Sequence, residues 1–327
     1  MTVACVARVE RWPVRGTFTI ARDSYTEVEV VVVELRADGA VGRGECRPYA
    51  RYGESSASVL AGIESAAPAV ARGASRGDLL ELLPPAAARN ALDAALLDLE
   101  AKRSGRPAHE LLGAGAPRPV ESAFTLGLDT PARTAEAAAA AASRPLLKLK
   151  VADDDVLARV RAVREAAPGA RLIVDANEAW TPESLARRLP SLAALGVALV
   201  EQPLPAGEDE ALAAIDRVVP ICADESCRGD DPIPPLAGRY DAVNVKLDKT
   251  GGVTTALRVA REARAAGFRV MVGCMVGTSL AMAPAYLIAP EADFADLDGP
   301  LLLDRDRDGG VRDDGVLLHP PSRELWG

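Results

Sequence analysis

From residue 120 onward the chain keeps a steady beat, and no other feature constrains its fold as tightly. Short apolar runs lie near 120–126, 146–150, 171–175, 197–201, 219–223, 241–246, 269–274 and 292–296. Amphipathic patterns with helical spacing fill most of the gaps, as at 153–167, 182–195 and 251–267. Eight strands separated by helices predict a barrel of the (β/α)8 type. A doubly wound open sheet competes, but no Gly-rich phosphate turn follows the first strand.

The segment before the beat reads differently. Residues 3–11 alternate, 17–21 are short and extended, 28–36 form a strong strand, and a turn at 37–39 leads into another strand at 40–46. Helical patterns follow at about 55–71 and 86–103, the second opening after Pro84–Pro85 and stopping at Ser104–Gly105. Strands followed by helices predict an α+β unit. The Pro/Gly-rich stretch at 113–119 reads as a linker, and short strands return after residue 300. The expected division is an α+β capping domain at 1–117, a barrel at 118–304, and a segment at 305–327 that returns to the cap.

Composition narrows the function. A net charge of -9 argues against nucleic acid or an anionic membrane as partner. No apolar run reaches the ~18–20 residues of a membrane span, and the N-terminus lacks the apolar core of a signal peptide. The five cysteines are odd in number and scattered, as free thiols in a reducing cytoplasm would be. Only His109 and His319 are present, both in structural contexts, so zinc sites and histidine bases have little to work with. Two literal motifs fail on context. Gly73-Ala-Ser75-Arg-Gly77 matches a nucleophile elbow without a preceding strand, and the run from Asp304 to Gly309 begins like a calcium loop but has Gly315 at its twelfth position.

Lysine usage carries more information. Arginine outnumbers lysine 33 to 5, yet Lys148 and Lys150 end one apolar run, and Lys246 and Lys249 follow another. Arginine does not deprotonate in a protein, whereas a partly buried lysine beside other cations can become a neutral base. Chemistry in a parallel barrel gathers at the C-terminal strand ends. Those ends carry Lys148 and Lys150, then Asp175, Glu201, Asp224, Lys246, Cys274 and Asp296. Three carboxylates from successive strands predict convergence on a hard divalent cation, most simply one Mg²⁺. Lys150 and Lys246 leave from strands on either side of the acids, which predicts one base on each face of a metal-bound carboxylate. Lys148 and Lys150 point the same way, and their mutual repulsion, with Mg²⁺, is expected to draw their pKa values down toward neutrality.

Lys148-Leu-Lys150, Asp175-Ala-Asn177, Glu201-Gln-Pro203, Asp224-Glu-Ser226 and Asn244-Val-Lys246, followed by Gly251–Gly252, resemble the enolase superfamily and its muconate-lactonizing subgroup. The resemblance covers nearly the whole chain. It implies a modified TIM-type (β/α)7β barrel with an N-terminal α+β cap and a Lys base working with Mg²⁺ on an enediolate. Within the subgroup, IARDS (20–24), PYARYGES (48–55), KLDKTGG (246–252), GCM (273–275) and DLDG (296–299) are most similar to L-Ala-D/L-Glu dipeptide epimerases. That likeness implies that Arg22 binds the glutamate side-chain carboxylate, that Asp296 and Asp298 bind the dipeptide ammonium, and that Thr125, Cys274 and Val276 line the substrate pocket. It gives Lys150 and Lys246 the catalytic roles, Lys148 an electrostatic one, and Asp175, Glu201 and Asp224 the metal. The implied function is a cytoplasmic dipeptide epimerase of murein peptide recycling, a homo-oligomer being compatible with it. N-acylamino-acid racemisation, o-succinylbenzoate synthesis and cycloisomerisation are rivals whose substrates bring no ammonium for Asp296 and Asp298. A catalytically inactive peptide-binding relative is the rival from another class.

Overall fold

The valine-rich N-terminal segment folds as an antiparallel meander of β1 (Ala4–Ile20), β2 (Asp23–Ala37) and β3 (Ala40–Cys46) in a computed structural model that describes every residue except Met1, Asp153 and Asp230. The two short strands expected at 3–11 and 17–21 are one long strand. Its pairing with β2 shifts register between Pro13 and Phe18, where Pro13 cannot donate to the ladder and Gly16 turns at φ +69°. Alternate valines of β2 serve different cores. Val31 and Val33 pack in the cap, whereas Val30 and Val32 join the cluster shared with the barrel.

Helices α1 (Ser56–Ala71), α2 (Leu79–Leu82), α3 (Ala87–Ser104) and α4 (Ala108–Leu112) follow. Helix α3 lies directly on β3, because a Cβ at Gly44 would stand 2.0 Å from the Ala91 carbonyl oxygen and one at Gly42 would stand 2.3 Å from that of Ala95. The same helix joins cap to barrel. Arg89 donates to the carbonyls of Thr250 (2.8 Å) and Gly251 (3.0 Å), and Asp93 accepts from the amide (2.9 Å) and hydroxyl (2.6 Å) of Thr254.

The eight apolar runs form β4 (Phe124–Leu126), β5 (Leu146–Lys150), β6 (Arg171–Asp175), β7 (Val197–Glu201), β8 (Ile221–Ala223), β9 (Ala242–Lys246), β10 (Arg269–Gly273) and β11 (Phe294–Asp296). Neighbours in sequence are parallel neighbours in the sheet, and the Ala123 amide closes the ring by donating to the Ala295 carbonyl at 2.8 Å. Outside lie α5 (Pro131–Ala140), α6 (Val156–Ala166), α7 (Pro182–Ala194), α8 (Leu247–Thr250), α9 (Val253–Ala265) and α10 (Ser279–Ala285). Short 3-10 turns stand in place of α-helices after β7 and β8, where Pro203, Pro205, Pro232, Pro234 and Pro235 break helical hydrogen bonding.

One buried residue from each strand or its entry fills the barrel floor: Ala123, Leu146, Ile173, Leu199, Cys222, Ala242, Met271 and Phe294. The chain then returns toward the cap. Val14 bridges to Leu303, Trp326 donates to the Ala94 carbonyl at 3.2 Å, and the Gly327 amide donates to Asp98 at 2.8 Å. Among the described residues no helix is long and apolar enough to cross a membrane.

Candidate active site

The floor fixes the site by simple alternation. Strand side chains repeat every two residues, so stepping two places beyond each floor residue gives the next layer in the lumen. That layer is Thr125, Lys148, Asp175, Glu201, Asp224, Asn244, Gly273 and Asp296. One further step on β5 and β9 gives Lys150 and Lys246. Register enforces the alignment, pairing Lys150 with Asp175, Asp175 with Glu201, and Gly273 with both Lys246 and Asp296. Strands β5 and β9 stand four apart in a ring of eight, so the two lysines rise on opposite sides of the mouth. Acids occupy β6 to β8 on one arc between them. Thr125, Cys274 and Asp296 occupy the other.

The buried charges are matched closely. Lys148 Nζ lies 3.1 Å from Asp175, 2.7 Å from Glu201 and 2.8 Å from Asp296. Lys150 Nζ is 2.5 Å from Asp175 and Lys246 Nζ is 2.6 Å from Asp224. Burial works to raise the Asp175 carboxyl, but Lys150 and Lys148 outweigh it and hold it below the usual range. Asp224 is likewise pulled down against burial by Lys246 and Lys249. Burial, with Asp175 beside it, pushes Glu201 up to about 7. The expected depression of the lysine pair meets a correction at Lys148. Burial lowers its pKa, yet Asp296, Glu201 and Asp175 more than reverse that and hold the ammonium well above its ordinary value. Lys246 is raised too, by Asp224 and Glu201 against burial. A carboxylate at contact distance outweighs a like charge farther along the strand.

Residues the sequence left without a role complete the network. Lys249, fully buried, donates to Asp224 Oδ1 at 2.6 Å and to the Asn244 carbonyl at 2.9 Å, so it anchors an acid. Asn244 donates to Glu201 at 2.7 Å, and Gln202 Oε1 receives the Asp224 amide at 2.9 Å. The retention of Lys249 in an arginine-rich chain was the signal available for it.

Cap loops close the mouth. Phe18 and Ile20 pack on Val276. Arg22 donates to the Asn177 carbonyl (3.1 Å), Glu178 (3.1 Å), Tyr49 (3.1 Å) and Glu225 (2.5 Å), so its guanidinium ties cap to barrel. Thr125 donates its amide to Asp298 at 2.6 Å, and burial together with Asp296 lifts that carboxyl to about 7. Cys274, Val276, Asp296 and Asp298 line one cavity with Lys150 and Lys246. Neither histidine lines it. Ser75 of the elbow-like motif is spent on Asp78 at 2.7 Å, and Asp306 of the calcium-like run accepts the Ser279 amide at 2.9 Å.

The acids do not stand as a ready cage: among the described residues no three His, Cys, Asp or Glu side chains are grouped to hold a metal, because lysine ammoniums lie between the carboxylates. The donor set still fits a hard cation. It is all oxygen and buried, and the side-chain oxygen of neighbouring Asn177, Oδ1, accepts no hydrogen bond.

Two family descriptions match this chain. Residues 2–113 match the mandelate racemase/muconate lactonizing enzyme N-terminal domain, and residues 131–323 match the enolase C-terminal domain-like family. The chain belongs to the enolase superfamily. Within that superfamily it is 50% identical to the L-Ala-D/L-Glu epimerase of Escherichia coli K12 over 90% of this chain and 92% of that one. It is 45% identical to an N-acetyl-D-glutamate racemase of a Pseudoalteromonas species over 91% of this chain and 95% of that one. An enolase family member from Agrobacterium tumefaciens with homology to dipeptide epimerases, solved with sodium and L-Ala-L-Glu, superposes with a TM-score of 0.97 at 50% identity, over 99% of this chain and 100% of that one. The dipeptide epimerase of Enterococcus faecalis V583, complexed with Mg and L-Leu-L-Tyr, gives a TM-score of 0.91 at 31% identity, over 100% of this chain and 99% of that one.

Proposed function

We propose that the chain is a Mg²⁺-dependent epimerase of L-Ala-D/L-Glu that moves a proton at the Glu α-carbon, acting in the cytoplasm on murein-derived dipeptides. The observation that carries this reading is the diametric placement of Lys150 on β5 and Lys246 on β9, with acids filling one arc of the mouth between them. One amine in its neutral form takes the α-proton at Nζ from one face. The opposite ammonium delivers a proton to the other face, which inverts the centre. Lys148 sets its positive charge near the carboxylate as negative charge builds there. Asp175, Glu201 and Asp224 would hold Mg²⁺, which when bound supplies a Lewis acid for the substrate α-carboxylate. Asp296 and Asp298 receive the Ala ammonium, and Asp296 Oδ1 is buried with no hydrogen-bond partner to compete. Closed loops exclude water, so substrate entry requires them to open.

The relative named as an N-acetyl-D-glutamate racemase makes an N-acylated glutamate the competing substrate. Such a molecule has no ammonium, so Asp296 Oδ1 stays unmet and Asp298 gains no cation. Purified protein with Mg²⁺ in D₂O, followed by proton NMR, tests the choice. α-Deuterium should enter the Glu residue of L-Ala-L-Glu and L-Ala-D-Glu. Exchange in N-acetylglutamate alone would move the assignment to N-acyl racemisation, and no exchange in any of them would remove the epimerase reading.

A further inference from the structure

Behind the acids lies a buried carboxylate that the reaction does not use. Asp209, between β7 and β8, is 1% exposed and lines no part of the cavity that holds Lys150 and Lys246. Its Oδ2 accepts from the Ser226 hydroxyl at 2.5 Å and from the Tyr240 hydroxyl, and its Oδ1 accepts from Arg239. A carboxylate paired with a guanidinium only accepts, so both hydroxyl protons point at Asp209. The Tyr240 hydroxyl also lies 3.0 Å from Ser226 Oγ, but the charged acceptor is nearer. Burial and Asp209 hold the Tyr240 phenol above its ordinary pKa, which keeps that proton in place. Each hydroxyl oxygen is left as an acceptor, and both receive Gln202 Nε2, Ser226 at 2.9 Å and Tyr240 at 3.1 Å. The Leu204 carbonyl accepts from the same nitrogen at 2.8 Å. The Gln202 amide therefore has one orientation, with Oε1 toward the Asp224 amide at 2.9 Å and the Ser226 amide at 3.0 Å. Gln202 follows Glu201 directly and sits at φ +33°, a left-handed conformation that glycine adopts more readily. Its main chain would favour glycine; its side chain, used at both ends, accounts for the glutamine.

We propose that Asp209 is a positioning residue that, through Ser226, Tyr240 and Gln202, locks the main chain at Asp224 and so sets how tightly the strand-end acids hold a divalent cation. The proposal rests on the reading that Asp175, Glu201 and Asp224 hold Mg²⁺, and it deepens that reading with a residue outside the cavity. Hydrogen bonds one layer out from a metal orient the groups that hold it, and their loss weakens metal binding. Asp209→Asn should undo the orientation. With its carbonyl kept on Arg239, the new amide donates to the two hydroxyls and turns their protons toward Gln202 Nε2. Donors then face each other, and Gln202 must flip or withdraw from the Asp224 amide.

The test titrates the protein, without dipeptide, with Mn²⁺ as a hard-cation probe counted by electron paramagnetic resonance. Asp209→Asn should weaken Mn²⁺ binding by about 10- to 100-fold. Tyr240→Phe, which removes one hydroxyl and no charge, should weaken it by a smaller factor. In a Gln202→Met background Asp209→Asn should cause no further loss, because the lock acts through that amide. Weakening of the same size in that background would mean that Asp209 acts through its charge alone, and overturns the proposal. So does a Mn²⁺ dissociation constant within about threefold of wild type in both single variants, even beside a lowered urea midpoint, since a merely structural role moves the midpoint alone. Should Asp209→Asn fail to fold, Tyr240→Phe and its pairing with Gln202→Met decide by the same criteria. Amide hydrogen exchange read by NMR separates this failure from failure of the metal reading. Exchange at the Asp224 and Ser226 amides should be at least about tenfold faster in Asp209→Asn. A wild type that binds no Mn²⁺ but shows that acceleration removes the metal reading and keeps Asp209 as the lock on Asp224. Unchanged exchange at both amides overturns the lock.

Discussion

Arg22→Met should open the site. Arg22 sits in the β1–β2 turn and reaches across to the loop after β6 at Asn177 and Glu178, and to Glu225 after β8. Its loss leaves Glu178 with Arg51 at 2.7 Å, whereas Glu225, only 1% exposed, loses its sole side-chain ion-pair partner among the described residues. Removing one member of a buried pair costs about 3–5 kcal/mol. Arg22 is a quarter exposed, so the lower end applies, and ~3 kcal/mol against the closed state corresponds to roughly 100-fold in the closing equilibrium. Where closure must precede proton transfer, KM should rise by that order for every dipeptide. The assay is a double-mutant cycle with Glu225→Gln, reading D₂O exchange kinetics and proteolysis of the loop at residues 17–26. Glu225→Gln removes the stranded charge and should return about 2 kcal/mol of the loss. Strict additivity of the two variants, or an Arg22→Met enzyme with unchanged KM and unchanged loop cleavage, would refute the latch.

Other expectations reach different parts of the fold. Lys150→Arg and Lys246→Arg should each abolish epimerisation; if one still exchanges the α-proton of a single enantiomer by NMR, that variant assigns the faces. Gly44→Ala drives a methyl to 2.0 Å from the Ala91 carbonyl and should cost at least about 1–3 kcal/mol in urea unfolding; an unaltered midpoint would mean α3 is free to shift. Asp248 is buried near Glu54 and Glu45, and burial raises its carboxyl from 3.8 to about 7. A folded-state pKa raised above the unfolded one contributes stability that is full below pH 3.8 and lost as pH rises through about 7. Asp248→Asn should therefore flatten that part of the stability profile, and an identical slope in both proteins would rule the assignment out.

Much of this protein is legible in one dimension. Strands β5, β6 and β7 begin and end where the apolar runs do, because a strand buried in a parallel barrel is a nearly continuous apolar segment. The same alternation carries Lys148, Asp175, Glu201 and Asp296 into the lumen two residues past the floor, so strand-end reading finds them together. Other features lie beyond a sequence pattern. Nothing local marks β1 as a single strand running through Pro13, because its pairing with β2 decides that. Lys249 has no visible role in sequence because its partner, Asp224, comes from another strand.

The sequence by itself determined the barrel, the cap and the identity of the strand-end acids and amines, since periodicity and strand polarity are local properties. Only the tertiary structure decided how those charges share one another. Lys148 meets three carboxylates rather than a repelling neighbour, Arg22 reaches Glu225 and Glu178 across the mouth, and Arg47 stacks on Tyr25. Pairing in a buried site depends on distances of a few ångströms between residues up to about two hundred positions apart, and Coulomb attraction changes by several kcal/mol over that range.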